Sequence, residues 1–481
     1  MDYIYNKIGK IRVDFIRHLC YNNFDKDFVK KTKKKENEMA NNLIYDIHDK
    51  PKFGNMLIFA FQQILAILAA TIAVPAIIGN GMSQSAALFG AGVGTLIYQI
   101  FTKFRSPVFL GSSFAFIGSM FAAFGGAASA SAGYTGLLIG AIFAGLVYVV
   151  IALVVKFAGV AWINKLMPTV VIGPTVALIG LSLAGNAVSD LSTGRVLGCS
   201  PYVAVICGIV TLFSVFAFSV YGKKMVKLIP FILGILVGYV VATVFTVIGI
   251  ATDNAALQVI DFSAFKGMQI FAVPDFTFAK AFEGVKDIDG SFIATVAVAY
   301  IPVAFVVFAE HIADHKNLSS IIDKDLIEDP GLHNTLLGDG VGSMAGAFFG
   351  GCPNTTYGES VGCVAITKNA SVVTITTTAI MAMVISFFGP FVTFLASIPN
   401  CVMGGVCIAL YGFIAVSGLK MIQKVDLNDS RNLFVVSAIL IPGIGGFSLT
   451  FGKISLTTIA CALILGILTN IFLNIKKDKA E

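Results

Sequence analysis

The sequence predicts an all-α, polytopic membrane protein, and its composition and long apolar runs carry that prediction. Of 481 residues, 57% are hydrophobic and only 12% are charged, whereas soluble domains carry about 25% charged residues. Apolar runs such as 56–79 and 135–155 contain about 20 residues or more, enough for a helix to cross a hydrocarbon core roughly 30 Å thick. A β-barrel would instead show alternating segments of about 10 residues.

The chain begins with a polar, lysine-rich segment, residues 1–55, which we interpret as a cytoplasmic extension. It contains no apolar core of a signal peptide before residue 56. The KKTKKK run (30–35) is more typical of a solvated tail near anionic lipid than of a nucleic-acid site. Met39 opens a stretch that resembles a natural start, so we expect residues 1–38 to be dispensable.

Apolar runs separated by glycine, proline and charged residues predict fourteen transmembrane spans. Their approximate limits are 56–79, 82–101, 107–123, 135–155, 168–185, 201–221, 227–250, 292–311, 336–351, 357–368, 372–397, 400–418, 431–447 and 454–474. The third and tenth are too short and too polar to be simple helices. Lysines and arginines concentrate in alternate loops, which places both termini, including the tail at 476–481, in the cytoplasm.

The two halves of the chain resemble each other at three places. FAFQQILA (59–66) aligns with VFAEHIAD (307–314), MPTVVIG (167–173) with IPNCVMG (398–404), and SPVFLGSSFAFIG (106–118) loosely with CPNTTYGESVG (352–362). Seven spans per half is an odd number, so the second copy enters the membrane upside down as a 7+7 inverted repeat. Inverted repeats with broken helices are typical of secondary transporters, and the breaks indicate the substrate site.

Carboxylates within predicted spans are costly and therefore suggest function. Glu310 ends a long apolar run, Asp314 lies one turn later on the same helix face, and Glu359 follows PNTTYG. The alternatives are that Glu310 and Asp314 are interface residues at the end of their span, and that Glu359 is a structural partner of a buried helix end. We interpret Asp339 as the cap of the ninth span.

The third and tenth spans contain the predicted breaks. SPVFLG (106–111) and CPNTTYG (352–358) each place a proline before β-branched or aromatic residues, so each is predicted to begin as a short strand and become helical at its glycine. Free N–H groups at such half-helix ends suit acceptor oxygens. Phe114 and Tyr357 are candidates to bracket a flat ring, with packing against lipid or core as the alternative. Without a deep lysine or arginine, these groups favour a small, neutral, planar, amide-like ligand.

The remaining residue types exclude several kinds of site. The eight cysteines show no CxxC or Cys/His spacing, so neither a metal site nor a disulfide framework is predicted. We find no nucleophile–base arrangement, which argues against a membrane enzyme. A channel is a further, weaker alternative.

The stretch 308–368, with GSSFAF (111–116) and the FQQ of the first span, resembles the nucleobase–ascorbate transporter family (nucleobase:cation symporter-2), and within it the bacterial uracil permeases. The resemblance covers roughly residues 50–475. The family signature is an acid or amide, then Asn, any residue, Gly, four residues, Thr and a basic residue. It appears here as ESVGCVAITK (359–368).

The resemblance implies two domains. Spans 1–4 and 8–11 (56–155 and 292–397) would form a core domain with short strands in spans 3 and 10. Spans 5–7 and 12–14 (156–250 and 398–475) would form a gate domain, and 251–291 an extracellular loop. It also implies proton-coupled import of uracil across the plasma membrane by an elevator mechanism. The coupling ion is the proton, no other cofactor is expected, and a homodimer would form through the gate.

The resemblance also implies roles for individual residues. Glu310 and Glu359 would hydrogen-bond the ring, and the backbone at Phe114 and Gly358 would meet its edges. The other residues implied to line the substrate site are Tyr357, Ser113, Ser360 and Tyr411. Proton coupling is implied for Glu310, Asp314 and His315.

Three positions depart from the family pattern. The signature asparagine is Ser360, the histidine usual one turn after the first glutamate is Asp314, and the usual Gln-His pair of the first span is Gln62-Gln63. Glu359 favours a pyrimidine, because purine branches usually carry glutamine there. A xanthine or purine permease is the nearest alternative. A sulfate-permease-like anion transporter is less favoured, since it predicts a basic residue near the half-helix ends.

Overall fold

The computed structural model describes residues 43–159, 167–223, 225–451 and 454–475. Residues 1–42 of the predicted extension, and the predicted tail at 476–481, lie outside the described residues. The α-helices are α1 (Phe53–Ile78), α2 (Gln84–Phe101), α3 (Ile117–Gly125), α4 (Ala130–Ala158), α5 (Thr169–Ser182), α6 (Ala184–Leu191), α7 (Pro201–Tyr221), α8 (Met225–Leu228), α9 (Pro230–Ala251), α10 (Thr277–Gly284), α11 (Gly290–Ile322), α12 (Leu332–Gly350), α13 (Gly358–Thr367), α14 (Val372–Ile385), α15 (Gly389–Ser397), α16 (Asn400–Ile422), α17 (Ser430–Ile444) and α18 (Thr458–Asn474). The strands are β1 (Leu110–Ser112), β2 (Asn354–Thr356), β3 (Leu449–Phe451) and β4 (Ile454–Leu456).

Seven helical segments of the described ranges are long and apolar enough to cross a membrane. They are α1, α4, α5 with α6, α7, α9, α11 and α16. Most other predicted spans are present as shorter or less apolar helices. The single span predicted at 372–397 is wrong, because the chain forms two helices, α14 and α15, separated at residues 386–388. The last predicted span begins with strand β4, and its helix starts only at Thr458.

The helices pack in two groups. In the first helix group, residues 53–158 and 290–385, α12 packs against α2 and α4, α11 against α4, and α14 against α1 and α2. In the second helix group, residues 169–251 and 400–474, α16 packs against α5 and α7, α7 against α9, and α17 against α18. Contacts between the groups include those of α11 with β4 and α18.

Small residues let α2 and α12 approach closely. A Cβ at Gly94 would lie 2.7 Å from the Gly342 carbonyl oxygen, and one at Gly90 would overlap the Gly346 carbonyl. Glycine at such contacts allows backbones to pack directly against each other. The side chain of Asn354 donates to the Gly90 carbonyl oxygen at 2.9 Å, so this helix pair also positions β2.

The two short strands predicted in the third and tenth spans are present and pair antiparallel. Helix α13 begins at Gly358, as predicted. The first break differs, because the chain stays extended past Gly111 and turns helical only at Phe114. The cause is the strand pairing itself: the Ser113 N–H donates to the Pro353 carbonyl at 2.9 Å and prolongs the extended backbone.

The segment 43–49, here called the N-terminal strap, lies along the loop that follows α13. The Ala370 N–H donates to the Tyr45 carbonyl at 2.9 Å, and the Lys324 ammonium lies 2.7 Å from the Asp46 carboxylate. Partial burial is the largest single effect and acts to raise the pKa of Asp46. The hydrogen bonds from Lys324 and from the Ile47 N–H, together with the nearby positive charge, outweigh it in sum and hold the pKa below its ordinary value. The strap therefore ties the chain before α1 to the end of α13.

Candidate functional site

The half-helices that leave β1 and β2 begin at Phe114 and Gly358. The first N–H groups of a helix have no acceptor within it, and in the part of the chain that the structure describes neither the Phe114 nor the Gly358 N–H donates to a backbone carbonyl. Gly358 is exposed, and Phe114 and Glu359 are partly exposed, although the strands beside them are buried. These residues therefore form the accessible edge of an otherwise buried pair of strands.

Two carboxylates face this region from different helices. Glu310 lies on α11 and Glu359 in the first turn of α13, close enough to interact electrostatically. Within the described residues, no other side chain donates a hydrogen bond to either carboxylate, and Glu359 accepts only from its own backbone N–H. The site thus holds two acceptors that are available to a ligand.

Helix α11 continues to Ile322, beyond the predicted end of its span. Glu310 and Asp314 therefore do not lie at a helix end, and that part of the alternative is wrong. Thr356 donates its hydroxyl to Asp314 Oδ2 at 2.8 Å, and Asp314 Oδ1 would lie 3.9 Å from a Cβ at Gly358. Asp314 therefore joins α11 to β2 beside the start of α13.

Tyr357 and Ser113 are placed where they support the strands. The Tyr357 hydroxyl donates to the Ser112 carbonyl oxygen at 2.7 Å, and its buried ring lies over Gly111, where a Cβ would overlap it. Ser113 is buried too, and Pro353 accepts its N–H. Both residues border the site, and their polar groups hold β1 and β2 together.

Ser360 is completely buried beneath the first turn of α13. Its hydroxyl accepts from Gln63 Nε2 at 2.6 Å and from the Phe109 N–H at 3.1 Å. Ser360, which stands where the family signature has asparagine, therefore anchors α13. Its partner Gln63 is also a departure from the family pattern, which usually has histidine at that position.

Phe114 and Tyr411 meet across the two helix groups. Their rings pack edge to face, with centroids 6.0 Å apart and an angle of 79° between the planes. The Tyr411 hydroxyl is buried beside the Cys407 thiol, but the pair lacks hydrogen-bonding geometry and the hydroxyl has no partner in the described part of the chain. This hydroxyl is therefore a further polar group available to a ligand.

A buried polar cluster behind the carboxylates was missed by the sequence analysis. Asp339 Oδ2 lies 2.7 Å from His311 Nδ1, and His311 Nε2 lies 3.0 Å from Thr335 Oγ1. The interpretation of Asp339 as a helix cap is wrong, because it lies in the middle of α12. The sequence did contain a signal for this cluster, because an acidic residue within a span suggests function by default. Asp339 lies within a predicted span just as Glu310 does.

His315 is completely buried, and its ring contacts α2. Nε2 lies 2.7 Å from the Tyr98 hydroxyl, and Nδ1 lies 2.8 Å from the His311 carbonyl oxygen. Of the three groups predicted for proton coupling, Glu310 and Asp314 are partly exposed and His315 is not.

Comparison with known proteins defines the class. The model of the Permease family, Xan_ur_permease, matches residues 54–451, and the chain belongs to this family. It is therefore a transporter and not an enzyme, with the multi-pass membrane fold that its apolar helices indicate.

Individual proteins are similar to this chain over most of its length. The uracil permease of Bacillus caldolyticus is 38% identical over 444 residues, 92% of this chain and 97% of that protein. The uracil permease of Escherichia coli K12 is 33% identical over 424 residues, 88% and 92% of the two chains. A putative pyrimidine permease of the same organism, RutG, is 32% identical over 88% of this chain and 90% of that protein. These similarities confirm the family resemblance found in the sequence.

Solved structures share the fold. The transmembrane domain of the cyanobacterial bicarbonate transporter BicA superposes with a TM-score of 0.59 at 15% identity, over 89% of this chain and all of that domain. The murine anion transporter Slc26a9, in its inward-facing state, superposes with a TM-score of 0.61 at 14% identity. The match covers 89% of this chain and 69% of that one. At such identity the likeness concerns the fold alone.

Proposed function

We propose that this protein imports uracil across the cell membrane together with protons. The observation that carries this proposal is the pair of unpartnered carboxylates, Glu310 and Glu359, beside the free amides at Phe114 and Gly358. Uracil has two ring N–H donors and two carbonyl acceptors. Carboxylates accept from the former, and amides at helix starts donate to the latter. The similarity to uracil permeases supports the same ligand.

The charges around the site favour a neutral ring over an anion. Segments 107–125 and 352–367 contain no lysine or arginine. Although the solved relatives of this fold are bicarbonate and anion transporters, an anion here would meet two carboxylates without a counter-charge. Phe114 offers an aromatic face to a planar ligand.

The carboxylates also supply a reason for proton coupling. Two ionised groups close together in a low-dielectric interior repel each other strongly. One proton on Glu310 or Asp314 removes this repulsion and leaves Glu359 free to accept from the ring. Proton and uracil would then bind together from outside and be released together inside.

The helix packing suggests how the site is moved. We assign the first helix group to the core domain and the second to the gate domain of a fourteen-span 7+7 repeat with cytoplasmic termini. The contact of Phe114 with Tyr411 then lies between core and gate, so sliding of the core would carry both carboxylates past Tyr411. The apolar surfaces that α7 and α9 expose suit lipid and a homodimer through the gate.

The test is uptake of radiolabelled uracil by cells that lack their own permease, at pH 6 and pH 8, with and without a protonophore. We expect faster uptake at pH 6 and collapse with the protonophore. Glu310→Gln should retain uracil binding but lose proton-driven accumulation. Uptake that is blocked by unlabelled xanthine, or insensitive to the protonophore in the wild type, would contradict the proposal.

A further inference from the structure

Two of the chain segments that cross between the helix groups meet each other. The first crossing, residues 252–276, leaves α9 and reaches α10, which packs against α4. The second crossing, residues 386–399, leaves α14 and reaches α16. The first crossing is held to the second helix group where it begins, because Thr246 Oγ1 of α9 accepts from the N–H groups of Val259 and Ile260 at 3.0 Å. It then runs to the end of α14 in the first helix group.

Backbone hydrogen bonds join the two crossings at this place. The Ala272 N–H donates to the Phe387 carbonyl oxygen at 2.9 Å, and the Gly389 N–H donates to the Ile270 carbonyl oxygen at 2.8 Å. The rings of Phe271 and Phe387 stack beside these bonds, with centroids 5.4 Å apart and an angle of 12° between the planes. The crossings are therefore tied into a single junction.

A groove lies at this junction, here called the junction groove. It has a volume of about 470 Å³ and is lined by Ile270, Phe271, Val384, Phe387 and Phe388. All five lining residues are apolar. Sites for polar small molecules include a few placed polar groups that fix the orientation of the ligand. The lining of the junction groove instead suits a wholly apolar occupant.

The first crossing exposes large apolar side chains around the groove. Ile270, Phe271 and Val273 are 78%, 62% and 67% exposed. On α14, Ile380 and Val384 lie one turn apart and are 50% and 64% exposed, so the groove continues into an apolar helix face. Contiguous apolar patches of this kind mark sites of contact with membranes or with other proteins.

We propose that the junction groove binds an acyl chain of a membrane lipid, and that residues 268–273 lie within the lipid layer. The family resemblance implied an extracellular loop at 251–291, and the proposed topology places its apolar part in the outer leaflet. A second copy of the chain is not expected here, because the homodimer is proposed through the gate and Val384 belongs to the first helix group. This inference goes beyond the proposed function and does not depend on the substrate.

The experiment places a fluorescent reporter in the groove. The single tryptophan of the chain, Trp162, is first replaced in a Trp162→Phe background, and Phe271→Trp is added. Phosphatidylcholine with bromine atoms on its acyl chains, which quench tryptophan, is titrated into the purified protein in detergent. We expect most of the emission to be lost at low lipid-to-protein ratios, with saturation, and no loss with the same lipid without bromine.

Two matched controls separate the groove from ordinary surfaces. Phe213 is 65% exposed on α7, within a helix apolar and long enough to span the membrane, and Phe213→Trp should lose emission only at higher lipid ratios. Leu197 is 97% exposed in the loop before α7. Leu197→Trp should be quenched by iodide in the water and not by the brominated chains.

Three outcomes would overturn the inference. Parallel loss of emission in Phe271→Trp and Phe213→Trp at every lipid ratio would show ordinary lipid contact only. Quenching of Phe271→Trp by iodide and not by bromine would place the segment in water. Protection from both quenchers would show that protein, such as a second copy, covers the groove. Phe388→Trp on the second crossing decides among these if Phe271→Trp does not fold.

Discussion

Gln63 Nε2 donates to Ser360 Oγ at 2.6 Å and joins the first turn of α13 to α1, across 297 positions of the sequence. The same hydroxyl accepts from the Phe109 N–H at 3.1 Å, just before β1. The buried Ser360 hydroxyl therefore holds α13, which carries Glu359, against both α1 and the segment that leads into β1.

Ser360→Ala should weaken both the fold and transport. It leaves two buried donors without an acceptor, and each such loss costs about 1–3 kcal/mol. We expect a lower thermal midpoint in detergent together with slower uracil uptake. Ser437→Ala, an exposed serine of α17 bonded to the Leu433 carbonyl, should change neither. An unaltered midpoint in Ser360→Ala would show that the hydroxyl is not an anchor.

Tyr411→Phe should raise the KM for uracil and leave the fold intact. Its hydroxyl is buried without a partner in the described part of the chain, so its removal leaves no protein group unsatisfied. A neutral hydrogen bond contributes about 0.5–1.5 kcal/mol, or roughly two- to tenfold in affinity. Initial uptake rates over a range of uracil concentrations measure this. An unchanged KM would exclude contact with substrate.

Gly94→Ala should destabilise the protein strongly. The added Cβ would lie 2.7 Å from the Gly342 carbonyl oxygen and would force α2 and α12 apart at the support of β2. Gly412→Ala on α16 is the control, because a Cβ there meets nothing within 4 Å and alanine favours a helix. Thermal unfolding compares them, and equal midpoints would contradict the packing described for α2 and α12.

The N-terminal strap predicts where truncation begins to matter. A protein that starts at Met39 keeps the strap and should transport normally. One that starts after Lys50 loses the hydrogen bonds to residues 368–372 and the ion pair with Lys324, and should be less stable. Expression, thermal midpoint and uptake of the two proteins distinguish these cases. Transport lost already in the Met39 form would refute the expectation that residues 1–38 are dispensable.

The sequence allowed much of the helical framework to be predicted, because apolar runs of sufficient length mark membrane helices. The predicted span 201–221 coincides with α7. Proline followed by β-branched or aromatic residues correctly predicted that the third and tenth spans are broken by short strands. The end of α11 was misplaced at residue 311, since His315 and Lys316 resemble the start of a loop.

The partners that make those polar residues tolerable lie far away in sequence. His311 is satisfied by Asp339, and His315 by Tyr98. The anchoring role of Ser360 likewise depends on Gln63. Such pairings follow from tertiary packing, which hydropathy and local spacing do not contain, so the support of the site appeared only in the structure.

The central claim is that Glu310 and Glu359 bind one uracil between them. The most direct test is uracil binding to the purified protein by calorimetry, comparing wild type with Glu359→Ala and with Glu283→Ala, which changes an exposed residue of α10. We predict binding in the wild type and in Glu283→Ala, and none in a folded Glu359→Ala protein. Wild-type affinity in Glu359→Ala would contradict the account.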